Sequence, residues 1–216
     1  MKDYAKSIFP TLNYVFKDQR QPSETISLSA INDIYSENSN ITVIQSTKDL
    51  KKRYEVLDEI DNGRFGQVYL VKSRKKNREY AMKKIKTSAK KVTREIFIHF
   101  YLSGHRDFIR LISAFDYTKN DRIRIFYLIM EYSRFGPLYR LLTKDGLEIH
   151  YIRFIAASIY EALKVLRENF LIHYDLKPDN ILVDVKGYLK LADFGNSEFN
   201  HGNMTTFKGT LVYAAP

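Results

Sequence analysis

The chain has 216 residues, a net charge of +10 and 44% hydrophobic residues, values typical of a globular protein with one core or two small lobes. It contains no cysteine, which excludes a disulfide framework and a thiolate metal site, and no apolar run of about 18 residues that would span a membrane. Lys and Arg are spread along the sequence and form no arginine-rich tract, so we predict no nucleic-acid binding.

Residues 1–50 differ in composition from the rest of the chain. They are rich in Ser, Asn, Thr and Asp and have no sustained hydrophobic period, so we predict a flexible polar extension. The N-terminus lacks the aliphatic core of a secretory signal, and we therefore expect an intracellular protein, cytoplasmic or nuclear, with no membrane contact. Aromatic and aliphatic side chains near the N-terminus leave docking to an activator or partner as an alternative role for this extension.

Five strands and one helix are predicted between the extension and Gly136. Alternating apolar residues indicate strands at 54–60, 67–73, 78–85, 109–117 and 122–132. The segment 88–105 has apolar residues at helical spacing, and Gly104 is a plausible end for that helix. We predict a five-stranded antiparallel sheet with one main helix.

Beyond Gly136 the pattern becomes helical. Residues 137–146 begin with Pro and end with Gly, as a short helix does. Residues 150–170 have apolar side chains at the spacing of a longer amphipathic helix. A β-rich part followed by a helical part indicates the α+β class.

Polar residues lie on both sides of a short predicted hairpin. Two apolar runs, 181–183 and 188–192, are joined by a turn at 184–187. The segment D-L-K-P-D-N precedes this hairpin and D-F-G follows it, so the hairpin brings both to the same end. An amide and two carboxylates converging there would suit Mg²⁺, whose shell a phosphate usually completes.

The order D-x-K-P-x-N, hairpin, D-F-G resembles the catalytic and metal-binding loops of eukaryotic protein kinases of the serine/threonine type. The resemblance covers about residues 54–216, and F-Y-L-I-M-E-Y-S and K-G-T-L-V-Y are most similar to Aurora-type and AGC-like kinases. It implies a bilobal kinase fold within residues 51–216. The N-lobe would occupy 51–131, the hinge 131–134 and a partial C-lobe 135–216.

The resemblance also implies catalytic roles. Asp175 would accept the proton of the substrate hydroxyl, and Lys177 would offset charge on the transferred phosphoryl group. Thr210 would bond both of these side chains. Lys83, in Y-A-M-K, would bind the α- and β-phosphates of ATP and pair with Glu95.

Further residues correspond to the family's ATP and metal site. Asn180 and Asp193 would hold Mg²⁺ between the phosphates. A glycine turn, I-D-N-G-R-F-G-Q-V, would approach the phosphates through backbone amides, and backbone groups after Met130 would bind the adenine edge. The implied cofactor-binding residues are Ile60, Gly63, Phe65, Gly66, Val68, Ala81, Lys83, Met130, Glu131, Ser133 and Leu182.

Two positions depart from the family pattern. Asp61 stands where the first glycine of the phosphate-binding turn is usual, and its charge would repel phosphate. Tyr174 replaces the arginine of H-R-D, which in the family pairs with a phosphate on the activation loop. We therefore predict that phosphorylation of Thr206 activates weakly or not at all. Loss of most activity in Thr206→Ala, with no effect of Tyr174→Arg, would contradict this.

The sequence stops at Ala215 and Pro216, inside the A-P-E motif, so we expect a domain truncated before its last helices. Such a chain should expose Ile155, Ile159 and Leu166 and be poorly soluble.

The expected activity is ATP-dependent phosphoryl transfer to Ser or Thr of protein substrates. Asp61, Tyr174 and the truncation favour one alternative, a pseudokinase or nucleotide-binding regulatory fragment without turnover. A small-molecule phosphotransferase is a second alternative, which G-T-x-x-Y-x-x-P after D-F-G disfavours.

Overall fold

The computed structural model describes residues 41–43, 47–63, 66–87, 89–120, 123–142, 146–200 and 209–213. The predictions for the first 40 residues of the extension, for Phe65, for Thr206 and for the A-P-E motif fall outside these ranges.

A six-stranded sheet dominates the first half of the described chain. Its spatial order is β1-β5-β6-β4-β3-β2, and β2 to β6 pair in antiparallel fashion. The predicted five-stranded antiparallel sheet is therefore confirmed. The strands are β1 (Ile41–Val43), β2 (Tyr54–Gly63), β3 (Gly66–Ser73), β4 (Glu79–Thr87), β5 (Leu111–Asn120) and β6 (Ile123–Glu131).

The end of the polar extension differs from the sequence prediction. β1 adds a sixth strand parallel to β5, and a helix, α1 (Thr47–Arg53), leads directly into β2. Leu50 of α1 is buried against the outer face of the sheet, while the Arg53 guanidinium lies 5.6 Å from the centroid of the Phe115 ring. Burial of one leucine and one cation–π contact stabilise a segment whose composition alone indicates no structure.

The two faces of the sheet pack against different partners because side chains alternate along each strand. Tyr80, Met82, Tyr127 and Ile129 point to the outer face with Leu50. The other face packs against a second helix, α2 (Ala89–Leu102), through Val92 and Ile96 of the helix. The sheet residues in this core are Ile85, Leu111, Ala114, Phe126 and Leu128.

Helix α2 belongs to two cores at once. Val92 and Ile96 face the sheet, whereas Phe97, Ile98 and Leu102 enter the core of the second half of the chain. Its bounds agree with the predicted helix, which ends in a turn before Gly104. Helix α2 therefore links the sheet to the second half of the chain.

The second half contains the predicted long helix and several very short elements. Helix α3 (Ile149–Glu168) follows a 3₁₀ turn at Leu138–Leu141. The strands are β7 (Leu171–Ile172), β8 (Ile181–Val183), β9 (Leu189–Leu191) and β10 (Glu198–Phe199), with 3₁₀ turns at Pro178–Asn180 and Leu211–Tyr213. No helix among these described residues combines the length and apolar character needed to cross a membrane.

One stripe of α3 contradicts the expected exposure. Leu166 is only 2% exposed, and Ile155 and Ile159 pack in part against the same core. Successive residues of this set are four and seven positions apart, so they share the helix face that covers the β8–β9 hairpin. The exposed apolar residues of α3 are instead Ile149, Tyr151, Ile152, Phe154, Tyr160 and Leu163.

Candidate active site

The β8–β9 hairpin brings two polar segments to one end. Ile181 pairs with Leu191, and the Ala192 amide donates to the Asn180 carbonyl at 2.8 Å. Asn180 and Asp193 are consequently adjacent although 13 positions separate them in the sequence. The Asp184 carboxylate closes the turn by accepting two backbone amides, at 2.7 and 2.9 Å.

Asp175 is 3% exposed, and both of its carboxylate oxygens have partners. Oδ1 accepts from the Thr210 hydroxyl at 2.6 Å, and Oδ2 accepts from the Asn180 amide nitrogen at 3.1 Å. The Lys177 ammonium lies 3.3 Å from Oδ2 and donates to the Thr210 hydroxyl at 3.1 Å. A carboxylate accepts about four hydrogen bonds, so Asp175 retains capacity for a substrate hydroxyl.

Thr210 reaches this cluster because Gly209 lies against the segment that carries Tyr174 and Asp175. A Cβ atom at Gly209 would lie 1.9 Å from the Tyr174 carbonyl oxygen, and its φ is +103°. Only glycine allows both that approach and that conformation. The position of the Thr210 side chain therefore depends on the residue before it.

Lys83 is buried between two carboxylates. Its ammonium donates to Glu95 Oε1 at 2.7 Å and to Asp193 Oδ1 at 2.9 Å. Burial alone would lower the pKa of Lys83, but the charges of Asp193 and Glu95 and their hydrogen bonds raise it above its ordinary value. Burial would raise the pKa of Asp193, but the charge and hydrogen bond of Lys83 lower it below its ordinary value, so Lys83 and Asp193 both stay ionised at neutral pH.

His173 supports the loop from beneath. Its Nε2 bonds the Ala192 carbonyl at 3.0 Å and its Nδ1 accepts the Asp175 amide at 3.2 Å, so Nε2 carries the proton. Burial lowers the pKa of His173 more than the hydrogen bond to Ala192 raises it. A neutral imidazole thus connects the segment before the hairpin to the segment after it.

Phe194 of D-F-G is 1% exposed and packs between the two halves of the chain. Its ring centroid lies 5.1 Å from that of His99 on α2, 5.5 Å from that of His173 and 6.0 Å from that of Phe108. His99 bonds the Ile109 carbonyl at 2.7 Å, and burial lowers its pKa to about 4. These aromatic contacts fix the direction in which Asp193 leaves the hairpin.

Asn180 and Asp193 supply the oxygen atoms that a hard cation prefers. The Asn180 nitrogen donates to the Asp175 carbonyl and carboxylate, which leaves the amide oxygen as its metal-binding atom. Asp193 Oδ1 accepts hydrogen bonds from Lys83 and from the Gly195 amide, the latter at 3.3 Å. Its Oδ2 is therefore the oxygen that could bind a metal ion. No group of three or more His, Cys, Asp or Glu suited to a metal occurs among the described residues. Mg²⁺ here would need oxygen atoms from phosphate or water, as it usually does.

Three of the residues predicted to line a nucleotide pocket, Val68, Ala81 and Met130, lie on neighbouring strands of the sheet. Val68 pairs directly with Lys83, and Ala81 pairs with Met130. Leu182 of β8 is half-buried and forms a bridge with Pro137. Ile60 is half-buried at a register shift near the end of β2.

The predicted hinge residues make specific contacts with the hairpin. The Glu131 amide donates to the Arg110 carbonyl at 2.9 Å, so a ligand contact at Glu131 would use its carbonyl. The Glu131 carboxylate also accepts from Lys190 of β9 at 2.6 Å. The Ser133 hydroxyl donates to the Val183 carbonyl at 2.6 Å and its carbonyl accepts from the Gly136 amide at 3.0 Å, so a ligand contact at Ser133 would use its backbone amide.

The glycine turn lies close to strand β4. Gly63 pairs with Gly66, and a Cβ at Gly66 would lie 2.3 Å from the Lys84 carbonyl oxygen. Gly66 is therefore required by the packing of β3 on β4 as well as by any approach to phosphate. Asp61 is exposed and pairs with Val68, one of the predicted pocket residues.

Sequence reasoning missed several contributors to the site. The sequence K-G-T indicates a glycine at position 209, where a close backbone approach was possible. The sequence H-Y-D indicates a histidine at position 173, next to the loop that it supports. Nothing in the sequence marks the ion pair between Arg94 of α2 and Glu198 of β10, whose partners are 104 positions apart.

Comparison with known proteins agrees with this geometry. A family model described as the protein kinase domain matches residues 54–216. An Aurora kinase of Encephalitozoon cuniculi is 34% identical over 178 residues, covering 76% of this chain and 62% of that protein. Human Rho-associated protein kinase 1 is 32% identical over 186 residues, covering 80% of this chain and 13% of that protein.

A third relative is the serine/threonine-protein kinase sck2 of Schizosaccharomyces pombe. It is 36% identical over 168 residues, covering 73% of this chain and 26% of that protein. The chain therefore spans less than two thirds of each of these three relatives. The similarity to Aurora-type kinases predicted from the sequence is confirmed.

Proposed function

Because the chain belongs to the protein kinase family, we propose that it transfers the γ-phosphate of ATP to Ser or Thr hydroxyls of protein substrates. The observation that carries this proposal is the pair of clusters at the open end of the hairpin. One cluster holds a cation, Lys83, between two carboxylates, and the other holds Asp175 with Lys177 and Thr210. Asn180 donates to Asp175 and adjoins the second cluster, and these are the polar groups that phosphoryl transfer uses in the family.

Asp175 is the proposed base. It would accept the hydroxyl proton while the hydroxyl oxygen forms its bond to the γ-phosphorus and the oxygen of the leaving ADP takes the electron pair. Lys177 would offset negative charge on the transferring group, and Thr210 fixes both side chains. Each is held before substrate arrives, so little reorganisation accompanies the reaction.

Lys83, Asn180 and Asp193 are proposed to hold Mg-ATP. Lys83 already carries its positive charge at the inner face of the sheet, where the α- and β-phosphates would lie. Mg²⁺, when bound by Asn180 and Asp193, supplies neutralisation of phosphate charge. The remaining proposed contacts are Ile60, Gly63, Phe65 and Gly66 of the glycine turn near the phosphates, and Val68, Ala81, Met130, Glu131, Ser133 and Leu182 around the adenine.

The alternative is a nucleotide-binding module without turnover. Asp61 and Tyr174 favour it because each replaces a residue that assists the phosphate chemistry of the family. The presence of Lys83, Glu95, Asp175, Asn180 and Asp193 favours turnover, since these are the residues that bind the phosphates and perform the transfer in the family.

Turnover with Mg-ATP and a generic basic protein separates these functions. We expect phosphate incorporation by the chain and a loss of about 10²- to 10⁴-fold in Asp175→Asn and Asp193→Ala. Asp179→Asn is the matched control, because Asp179 is an exposed carboxylate in the same loop. Nucleotide binding without incorporation supports the alternative, and equal activity in all variants contradicts both.

Partners and surroundings follow from the same proposal. A kinase of this type acts on protein Ser or Thr residues, and we propose an intracellular site of action. We propose residues 1–50 as the segment through which an activator or docking partner would bind. The lobes would be divided at a hinge at 131–134.

A further inference from the structure

Three residues on one face of α2 contact the second half of the chain. Arg94, Phe97 and Tyr101 follow the spacing i, i+3, i+7, which places them on one side of a helix. Each has a partner in β10 or at the end of α3. The opposite side of α2 packs on the sheet through Val92 and Ile96.

Arg94 and Glu198 form the charged contact of this face. The Arg94 guanidinium donates to Glu198 Oε1, and the two side chains are 33% and 25% exposed. Partial burial reduces screening by water and salt, so this pair is stronger than an ion pair on an open surface.

Two further contacts of the face are less polar. The Phe97 ring packs 5.9 Å from that of Phe199, the neighbour of Glu198 in β10. The Tyr101 hydroxyl donates to the side-chain oxygen of Asn169, which ends α3. These contacts hold α2 near its middle and its C-terminal end, whereas Arg94 holds the turn that carries Glu95.

Glu198 is itself fixed by pairing. Glu198 lies opposite Ile172 in the antiparallel β7–β10 pair. Ile172 is the residue immediately before His173. The Asn200 amide donates to the Phe170 carbonyl at 2.7 Å and extends this anchorage. Glu198 thus connects α2 to the strand that leads into the catalytic loop.

Neighbouring helix positions differ by about 100° around the axis, so fixing Arg94 fixes the direction of Glu95. Side-chain atoms lie about 6 Å from the helix axis, so a rotation of α2 by about 20° would displace them by about 2 Å. That displacement would break the 2.7 Å hydrogen bond between Glu95 and Lys83.

We propose that Arg94 and Glu198 form a positioning pair that holds α2 in the rotation at which Glu95 binds Lys83. This inference rests on the proposed function. Neither side chain touches nucleotide or substrate in this assignment. The pair works through unmodified side chains and through the contact between Glu95 and Lys83.

A double-mutant cycle tests the pair. Arg94→Gln, Glu198→Gln and the double variant remove the charges and keep the side chains polar. We expect each single variant to lower kcat about tenfold at saturating Mg-ATP, with the protein-substrate KM unchanged. We expect the double variant to lose no more than either single one, because both changes remove the same interaction. Glu55→Gln, which breaks the exposed 3.7 Å pair with Arg74, should retain full activity.

Hydrogen exchange gives a readout that does not need turnover. We expect faster amide exchange in residues 89–102 of Arg94→Gln and Glu198→Gln, with unchanged exchange in β3 and β4 and in Glu55→Gln. Unchanged exchange in α2, or independent kcat losses that multiply in the double variant, would overturn the proposal. If the unchanged protein shows no turnover but α2 still exchanges faster in Arg94→Gln and Glu198→Gln, the positioning pair is supported and the kinase activity is rejected.

Discussion

Two residues in the loops of the proposed active site adopt backbone conformations that side chains normally avoid. Asp193 and Tyr174 each have a φ of +64°, in the left-handed region that costs a non-glycine residue about 1 kcal/mol or more. The hydrogen bonds of Asp193 with Lys83 and Gly195 offset that cost on one side. On the other side, Gly209 lies directly against the Tyr174 carbonyl. Strain in both loops is thus supported by specific neighbours.

Replacing Gly209 by alanine should separate Thr210 from Asp175. The new methyl group would overlap the Tyr174 carbonyl oxygen, which lies 1.9 Å from the Cβ position, so one of the two loops must move. A displacement of about 1 Å at the site costs about a hundredfold in rate, and we expect kcat to fall by about that factor. Steady-state kinetics measures this.

Gly187→Ala is the matched control for that substitution. Gly187 has a φ of +82°, so alanine is strained there too, but no atom lies within 4 Å of its Cβ position. We expect a loss of about 1 kcal/mol in the free energy of unfolding and unchanged kcat. Equal loss of activity in both variants would show that glycine strain, and not the contact with Tyr174, is responsible.

At the level of elements, the end of β6 is fixed to the hairpin by a buried hydroxyl. Ser133 is 6% exposed and donates to the Val183 carbonyl at 2.6 Å. The Val183 amide donates to the Gly136 carbonyl at 2.9 Å, so the segment after β6 and strand β8 are bonded twice. The proposed hinge therefore has a defined path over the hairpin.

Ser133→Ala should destabilise the protein. The Val183 carbonyl would lose its partner inside the protein, and a buried unsatisfied carbonyl costs about 1 to 2 kcal/mol. Chemical denaturation measures the free energy of unfolding. Ser158→Ala is the control, because the exposed Ser158 hydroxyl also donates to a carbonyl, that of Phe154, at 2.9 Å. We expect that control to change stability by less than about 0.5 kcal/mol.

Elements with a long local pattern were predictable from the sequence. The alternation in β2 to β6 and the helical spacing in α2 and α3 extend over 8 to 20 residues, so local preferences specify them. β1, β7 and β10 have two or three residues each and exist only through their partners. Residue spacing cannot reveal such strands, and β1, β7 and β10 were missed for that reason.

Predicting which face of α3 is buried required knowledge of its neighbour. Both the buried stripe with Leu166 and the exposed stripe with Ile152 and Tyr160 are apolar, so amphipathicity does not distinguish them. The β8–β9 hairpin decides the outcome by packing on one of them. The same holds for the site, where Lys83 and Asp193 were identified by motif but their 2.9 Å contact was not.

For the whole molecule, the buried His99 makes stability depend on pH. Its pKa is lowered to about 4 from 6.5, so between these values the unfolded chain binds more protons than the folded one. Stability therefore rises with pH across this window, and falls as pH drops through it by up to about 3 kcal/mol. Asp193, whose pKa is lowered from 3.8, contributes further loss below that value.

His99→Leu should reduce this acid sensitivity. We expect its free energy of unfolding to fall less between pH 6.5 and 4 than that of the unchanged protein. The substitution removes the one proton that the unfolded chain binds at this position in excess of the folded chain. Parallel pH profiles for His99→Leu and the unchanged protein would contradict the assignment. Denaturation at a series of pH values provides the measurement.

The large sequence separation between Lys83 and Asp193 has a consequence for how the protein folds. The β8–β9 hairpin closes over a turn of a few residues, whereas the contact from Lys83 to Asp193 closes a loop of 110 positions. Loop closure costs conformational entropy that grows with length, so the hairpin forms early and the long-range contact forms late. Asp175 and Asn180 would thus be brought close to Asp193 before Lys83 reaches it. The proposed activity would require the later of these two steps.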